Sequence, residues 1–425
     1  MKTSELPGFY RLTSEERLRI VAEFAGLTEE EVSILRKTGS LEMSRAERMI
    51  ENVIGTTALP LGIATNFLIN GRDYLIPMVT EEPSVVAAAS NAAKMARVKG
   101  GFKAESTEPV MIGQVQVVDL EDPEDAAKRV MAEGGRIIAK ANERDPFLTK
   151  LGGGAVDLDA RVIETIRGRM LIVHLLVNVK DAMGANVVNT MCEAVAPLIE
   201  EITGGRVFLR IVSNLATQRL ARARAVFSRE ALGGEEVVEG IMNAYAFALA
   251  DPYRCATHNK GIMNGVTAVV LATGNDTRAV EAGAHAYASL GGRYRPLTSW
   301  SVDKNGDLVG EIEIPVAVGI VGGATAVHPV AGICRKILGV GSARELGEVL
   351  AAVGLAQNLA AMRALATEGI QRGHLRLHAR NIAVTAGANG DEVDLVALRM
   401  VEEGRVSYDR ALEILREIRG ESRDR

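Results

Sequence analysis

A chain of 425 residues exceeds the size at which one hydrophobic core usually stops growing, so two or three domains are expected. Its net charge of -5 and pI near 5.9 argue against the basic footprint of a nucleic-acid binder. Three widely spaced cysteines, Cys192, Cys255 and Cys334, match neither a disulfide framework nor a zinc pattern, and fit a reducing cytoplasm.

The N-terminal stretch MKTSELPGFYRLTSEERL carries charge throughout and has no apolar stretch of the kind a secretory signal needs. Thr13-Ser14-Glu15-Glu16 and Leu27-Thr28-Glu29-Glu30-Glu31 both read as capping signals, so helices are predicted between residues 12 and 50. Leu68 to Val79 reads as a hairpin turning at Asn70-Gly71. Pro83, at a first helical position, opens a helix through about Val98, which Gly100-Gly101 closes.

A different texture starts near residue 108. Val115 to Val118 alternates as a strand does, and Pro123 to Glu133 is a helix ending at Gly134-Gly135. Val162 to Val179 is a hairpin turning at Arg167-Gly168, Asn186 to Ile202 a helix and Arg206 to Val212 a strand. This α/β unit, with crossovers of βαβ length, reads as an insertion into a helical framework. Helices are predicted from Ala216 to Tyr253, with the basic run Arg219 to Arg224 as a solvated helix face. A mixed stretch follows to about residue 340, then helices from Ala343 to Gly369 and a charged helical tail hinged at Gly387 and Gly390. The uncharged run Ile314 to Ile333 has the length of a membrane span, but its prolines, His328 and small residues around Gly322 make it a buried, turning segment.

No GxGxxG follows a strand. Instead the strand ending near Val179 runs into Asp181-Ala182-Met183-Gly184-Ala185-Asn186 and a helix, where small residues let backbone amides approach a diphosphate. Such a junction is often only a turn. Elsewhere, Glu81-Glu82-Pro83-Ser84 and His258-Asn259-Lys260-Gly261, with Asn264 and Asp276, supply acid, cation and amide side chains. His374 and His378 lie four residues apart, and residue type alone does not choose between them. Cys255, with His258 three positions on, keeps a thiolate nucleophile and hence an acyltransferase open as an alternative.

Taken as strings, EEPSVVAAAS, THNKGIMNG, LHARNIAV, ENVIG (Glu51 to Gly55), DAMGAN and Gly373-His374 resemble class II 3-hydroxy-3-methylglutaryl-coenzyme A (HMG-CoA) reductases. The resemblance implies an α+β, multidomain fold: a helical large domain (1–108 and 216–373), an inserted ferredoxin-like NAD(P)-binding domain (109–215) and a mobile helical flap (374–425). It implies a cytoplasmic enzyme without a membrane anchor that interconverts HMG-CoA and mevalonate by two hydride transfers. Lys260 is then the oxyanion stabiliser, Glu82 the proton donor, Asp276 the carboxylate that tunes both, and His374 the acid for the coenzyme A thiolate. Ser84, Arg254 and Asn264 would hold the substrate, and Arg11 a coenzyme A phosphate. Asp145, Asp181, Met183, Gly184, Ala185, Asn186, Asn214, Gly322 and Gly323 would hold the cofactor, with no metal.

A carboxylate at Asp145 accepts bonds from a free 2'-hydroxyl and repels a 2'-phosphate, which favours NAD(H). Neighbouring Arg144 offsets that repulsion, so NADP(H) stays open. Glu51 and Asn52 would lie at the interface of a homodimer with shared active sites, on which larger dimer-based assemblies could build. The remaining alternative is a non-catalytic coenzyme A or dinucleotide sensor. One expectation conflicts with simple geometry: a continuous helix from Lys260 to Asp276 would separate them by roughly 24 Å. Their pairing therefore requires a strand or a break near Val269-Val270-Leu271 and Thr273-Gly274.

Overall fold

The computed structural model describes residues 2–323, 327–367 and 370–420, with backbone alone over 370–377. Two sheets organise the chain. The first contains β1 (Leu61–Ile69), β2 (Arg72–Val79), β3 (Phe102–Ser106), β8 (Leu220–Phe227), β9 (Thr298–Val302) and β10 (Leu308–Pro315), in the order β2-β1-β3-β8-β10-β9. The second contains β4 (Val110–Val118), β5 (Gly154–Thr165), β6 (Gly168–Asn178) and β7 (Arg206–Ser213), in the order β5-β6-β4-β7.

All neighbouring strands of the second sheet are antiparallel. The helices Pro123–Ala132 and Gly134–Asn142 link β4 to β5, and Ala185–Thr203 links β6 to β7, so each crossover skips a strand. That is the split βαβ arrangement of ferredoxin-like units. Strands β3 and β8, which flank this unit in sequence, pair antiparallel, and Thr107 Oγ1 donates to Gln218 O at 2.7 Å. The unit thus leaves and rejoins the first sheet at one place. Each sheet has its own core. Phe67, Phe102 and Phe227 centre one, while Met111, Leu171, Leu175 and Met191 centre the other.

The Asn70-Gly71 turn is as predicted, with φ of 52° and 80° at its two residues. Both N-terminal capping boxes form, at Thr13/Glu16 and Thr28/Glu31. Two readings change, and one helix was missed. The helix assigned to open at Pro83 begins at Val85, because Ser84 takes a left-handed φ of 71° at its N-cap. The helix expected to stop at Gly134-Gly135 does so, but a second helix, Gly134–Asn142, starts there unpredicted. Arg219 to Arg224 is no helix: β8 alternates buried Ala221, Ala223 and Ala225 with Arg222 and Arg224, which pair with Glu313 and Glu311 on β10. The period of two in Arg-Leu-Ala-Arg-Ala-Arg was the available signal.

The helix Ala343–Ala366 runs beneath the first sheet. It is long and apolar enough to cross a membrane, yet 67% of its most apolar window is buried in this core. The helices Ile370–Thr385, Asp391–Glu402 and Tyr408–Arg419 gather a separate small core of Ala379, Ala383, Val396, Met400 and Ile414.

Candidate active site

Asp251 caps the helix Pro252–Ala272, accepting from Arg254 N at 2.7 Å, and Pro252 occupies its first turn. The helix is unbroken despite two interior glycines. Gly265 is needed for packing, since a Cβ there would meet Gln357 and Val353 at 3.0 Å. Lys260, Asn264 and Thr267, at i, i+4 and i+7, share one face. Glu82 arrives on that face from the turn after β2: Lys260 Nζ meets its Oε2 at 2.6 Å, and Asn264 Nδ2 donates to its Oε1 at 3.1 Å. Residues far apart in sequence thus form one cluster of acid, cation and amide.

The Lys260 side chain is 60% exposed and that of Glu82 35%, so the pair faces a solvent-open surface able to receive a ligand. Ser84 borders it in a left-handed conformation that costs a non-glycine residue energy, a form of strain that gathers at functional sites. Arg254 lies six residues before Lys260, about 120° round the helix, so it is not on this face.

Asp276 is elsewhere. Ala272 lies about 18 Å along the helix from Lys260, and a tight turn leads into the antiparallel helix Thr277–Ala288. Asp276 caps that helix, accepting from Arg278 N and Ala279 N at 2.9 and 3.1 Å and pairing with the Arg278 guanidinium. The expected Lys260–Asp276 contact is therefore absent within the protomer, because the helical hairpin places the two at opposite ends. A second carboxylate, Glu281, does reach the lysine face beside Glu82. Its Oε1 accepts from Thr267 Oγ1 at 2.6 Å and its Oε2 lies 3.0 Å from His285 Nε2. Burial raises the Glu281 pKa, but His285, Thr267 and the charge of Lys260 outweigh it and hold the carboxyl below its ordinary range. His285 Nδ1 lies 2.8 Å from Tyr294 OH. Sequence reading missed Glu281, whose environment exists only once the two helices pair.

The DAMGAN loop joins β6 to the helix Ala185–Thr203. No side chain caps that helix, and Gly184, at φ 104°, lies so close to Val179 that a Cβ would be 2.6 Å from it. Gly319 packs on the other side, where a Cβ would fall 2.5 Å from Met183 N. Asp181 Oδ1 accepts from Ala343 N at 2.8 Å, and Asp181 O from Ile320 N at 2.8 Å. Uncapped amides at a glycine-lined helix start fit a dinucleotide diphosphate. Asn275 exchanges two hydrogen bonds with Gly319, at 2.8 and 3.1 Å, so Asp276 adjoins this loop rather than Lys260. Arg219, read as solvated, is buried beneath the loop and donates to Ala182 O and Met183 O.

The other expected residues are more dispersed. Asp145 caps the helix Pro146–Lys150 through Leu148 N at 2.8 Å. Asn214 is exposed, and its carbonyl packs on Gly283 of the helix that Asp276 caps. Gly322 and Gly323 are exposed with positive φ, just before the undescribed residues 324–326. Arg11 is exposed and stacks on Tyr10. Glu51 and Asn52 are exposed beside a fully exposed Ile54. His374 lies on the helix Ile370–Thr385, but its side chain is outside the described residues; His378 is exposed. Cys255 is buried, and burial pushes its thiol up to about 11. His258 bonds instead with Thr298 at 2.9 Å, and burial pushes its pKa down to about 4. Neither shift suits a thiolate–imidazole pair.

Residues 13–379 match the family model described as hydroxymethylglutaryl-coenzyme A reductase. The chain is 65% identical to the 3-hydroxy-3-methylglutaryl-coenzyme A reductase of Archaeoglobus fulgidus, over 98% of this chain and 95% of that one. It is 38% identical to a probable enzyme of the same name from Borreliella burgdorferi, covering 89% of this chain and 88% of the other. Among solved structures, the class II reductase of Streptococcus pneumoniae bound to NADPH in open conformations superposes with a TM-score of 0.81 at 40% identity, covering 96% of this chain and 100% of that one. The chain belongs to the hydroxymethylglutaryl-coenzyme A reductase family, in its class II branch.

Proposed function

We propose that this protein interconverts (S)-HMG-CoA and (R)-mevalonate: HMG-CoA, two NAD(P)H and two protons on one side, mevalonate, coenzyme A and two NAD(P)+ on the other. The observation that carries the reading is the Lys260–Glu82–Asn264 cluster. A thioester carbonyl set against it meets an ammonium for the developing oxyanion and a carboxyl group for the product oxygen. Glu281 is a further carboxylate on the lysine side, and Asp276, the tuning carboxylate that the resemblance implies, would join the cluster only across the shared site of a dimer. Ser84 and Asn264 border the substrate; Arg254, off the lysine face, would offer its fork to the free carboxylate only where the substrate extends past the cluster toward the helix start, and Arg11 a cation for a coenzyme A phosphate. His374 is assigned to protonate the departing thiolate.

The bound dinucleotide supplies the hydride. Asp181, Met183, Gly184, Ala185 and Asn186 would hold its diphosphate, with Asn214, Gly322 and Gly323 nearby. Asp145 favours NAD(H) over NADP(H) through the ribose hydroxyl; the NADPH bound by the Streptococcus pneumoniae protein makes NADP(H) the alternative. We read 1–108 with 216–373 as the large domain, 109–215 as the cofactor domain and 374–425 as a flap that opens for cofactor exchange between the two reductions. The exposed Glu51, Asn52 and Ile54 support a homodimer with shared sites. Three buried free cysteines fit a cytoplasmic protein.

The test follows absorbance at 340 nm with HMG-CoA and either cofactor. Two cofactors oxidised per HMG-CoA, with the rate at least about a hundredfold lower in Lys260→Ala, is the expected result. A folded protein that binds HMG-CoA but oxidises neither cofactor would be a sensor instead.

A further inference from the structure

The loop proposed to hold the cofactor diphosphate rests on a buried cation. Arg219 is 4% exposed. Its Nη1 donates to Ala182 O at 3.2 Å and Met183 O at 3.0 Å, while Nη2 donates to Ala182 O at 3.1 Å and to Val318 O. These carbonyls belong to the two strings that meet at Gly319, so one guanidinium ties both together from below. Its backbone is equally fixed, with Arg219 N on Ala216 O and Val316 N on Arg219 O.

Carbonyls satisfy the guanidinium's hydrogen bonds but do not neutralise it. A buried charge without a directly paired carboxylate is costly to desolvate. Burial lowers the Arg219 pKa to about 10, against which the charge of Asp181 acts from a distance. The peptide groups whose carbonyls point down to Arg219 turn the adjoining N–H groups, those of Met183 and Gly184, away from it. A diphosphate above those amides would supply the missing negative charge.

We propose that Arg219 is a positioning residue for the dinucleotide: it holds the Ala182 and Met183 peptides with their amides turned toward the diphosphate and contributes a buried positive charge beneath it. This rests on the assignment of the DAMGAN loop to the cofactor. Arg219 touches neither substrate nor cofactor, so its loss should weaken dinucleotide binding while leaving HMG-CoA binding unchanged.

The test titrates the full-length protein with NADH and ADP-ribose by fluorescence and calorimetry, and with HMG-CoA as the control ligand. Arg219→Gln, which keeps an amide donor and loses the charge, should raise the dissociation constants of NADH and ADP-ribose about tenfold and flatten their dependence on salt. Its HMG-CoA dissociation constant should stay within twofold of wild type. Unchanged NADH affinity, or equal losses for NADH and HMG-CoA, overturns the proposal. Should Arg219→Gln fail to fold by circular dichroism, Arg219→Lys takes its place. It keeps the charge but loses the planar fork, and should weaken NADH about threefold with HMG-CoA unaffected; wild-type NADH affinity in that variant overturns the proposal. Gly184→Val separates the two levels of argument, because its side chain would collide with Val179. If that variant binds NADH as wild type does, the loop assignment itself fails, whatever Arg219 does.

Discussion

Gly319→Ala adds one methyl group and changes nothing else that the backbone requires, since Gly319 is not among the residues at positive φ. The new Cβ would stand 2.5 Å from Met183 N, 2.8 Å from Ala182 C and 2.9 Å from Asp181 O. Ordinary contact begins near 3.5 Å, so about 1 Å must be found. Neither side yields freely. Asn275 holds Gly319 from both its N–H and its C=O, Ile320 N binds Asp181 O at 2.8 Å, and Arg219 holds Val318, Ala182 and Met183. Overpacking of this kind costs about 1–3 kcal/mol. If the DAMGAN loop absorbs it by moving away from the diphosphate, the NADH dissociation constant rises about tenfold to a hundredfold. Fluorescence titration with NADH measures this, and calorimetry with HMG-CoA, expected to remain within twofold, is the control. An NADH affinity within twofold of wild type, in a folded variant, would refute the view that this close approach shapes the cofactor site.

Three further outcomes are expected. Cys255→Ala should keep HMG-CoA-dependent oxidation of the cofactor within about twofold of wild type, since the thiol is buried and raised to about 11; loss of turnover with a retained fold would revive the acyltransferase. Burial of His258 lowers its folded pKa to about 4, below an ordinary value of 6.5, so the unfolded chain binds the extra proton first. Its contribution is complete above pH 6.5 and declines by about 3 kcal/mol as pH falls toward 4. Chemical denaturation across that range should show the decline, and His258→Gln should flatten it. Ile54, fully exposed in the protomer, is expected to be covered in a dimer. Ile54→Asp should shift sedimentation toward monomer and abolish turnover together, and an active monomer would remove the shared-site reading.

Much of this protein was legible from local chemistry. The capping boxes at Thr13 and Thr28, the Asn70-Gly71 turn and the alternation around Val115 each depend on neighbours within a few residues, and the structure contains all of them. The cluster residues Glu82, Lys260 and Asn264 could be named because their strings are distinctive, and helical spacing already put the latter two on one face. What sequence could not supply was partnership. That Glu281 rather than Asp276 stands on the Lys260 face depends on how the two helices pair, where Thr267 Oγ1 donates to Glu281 Oε1. Whether Arg219 is solvated depends on β8 being a strand, its alternation enforced by β3 and β10 on either side. Periodicity and capping are short-range properties of the chain, whereas the neighbour of a charge is decided by packing between elements distant in sequence. Sequence by itself therefore determined the chemical groups and the helix face that carries them, and tertiary structure alone decided which second carboxylate stands on the lysine face and that Arg219 lies beneath the DAMGAN loop.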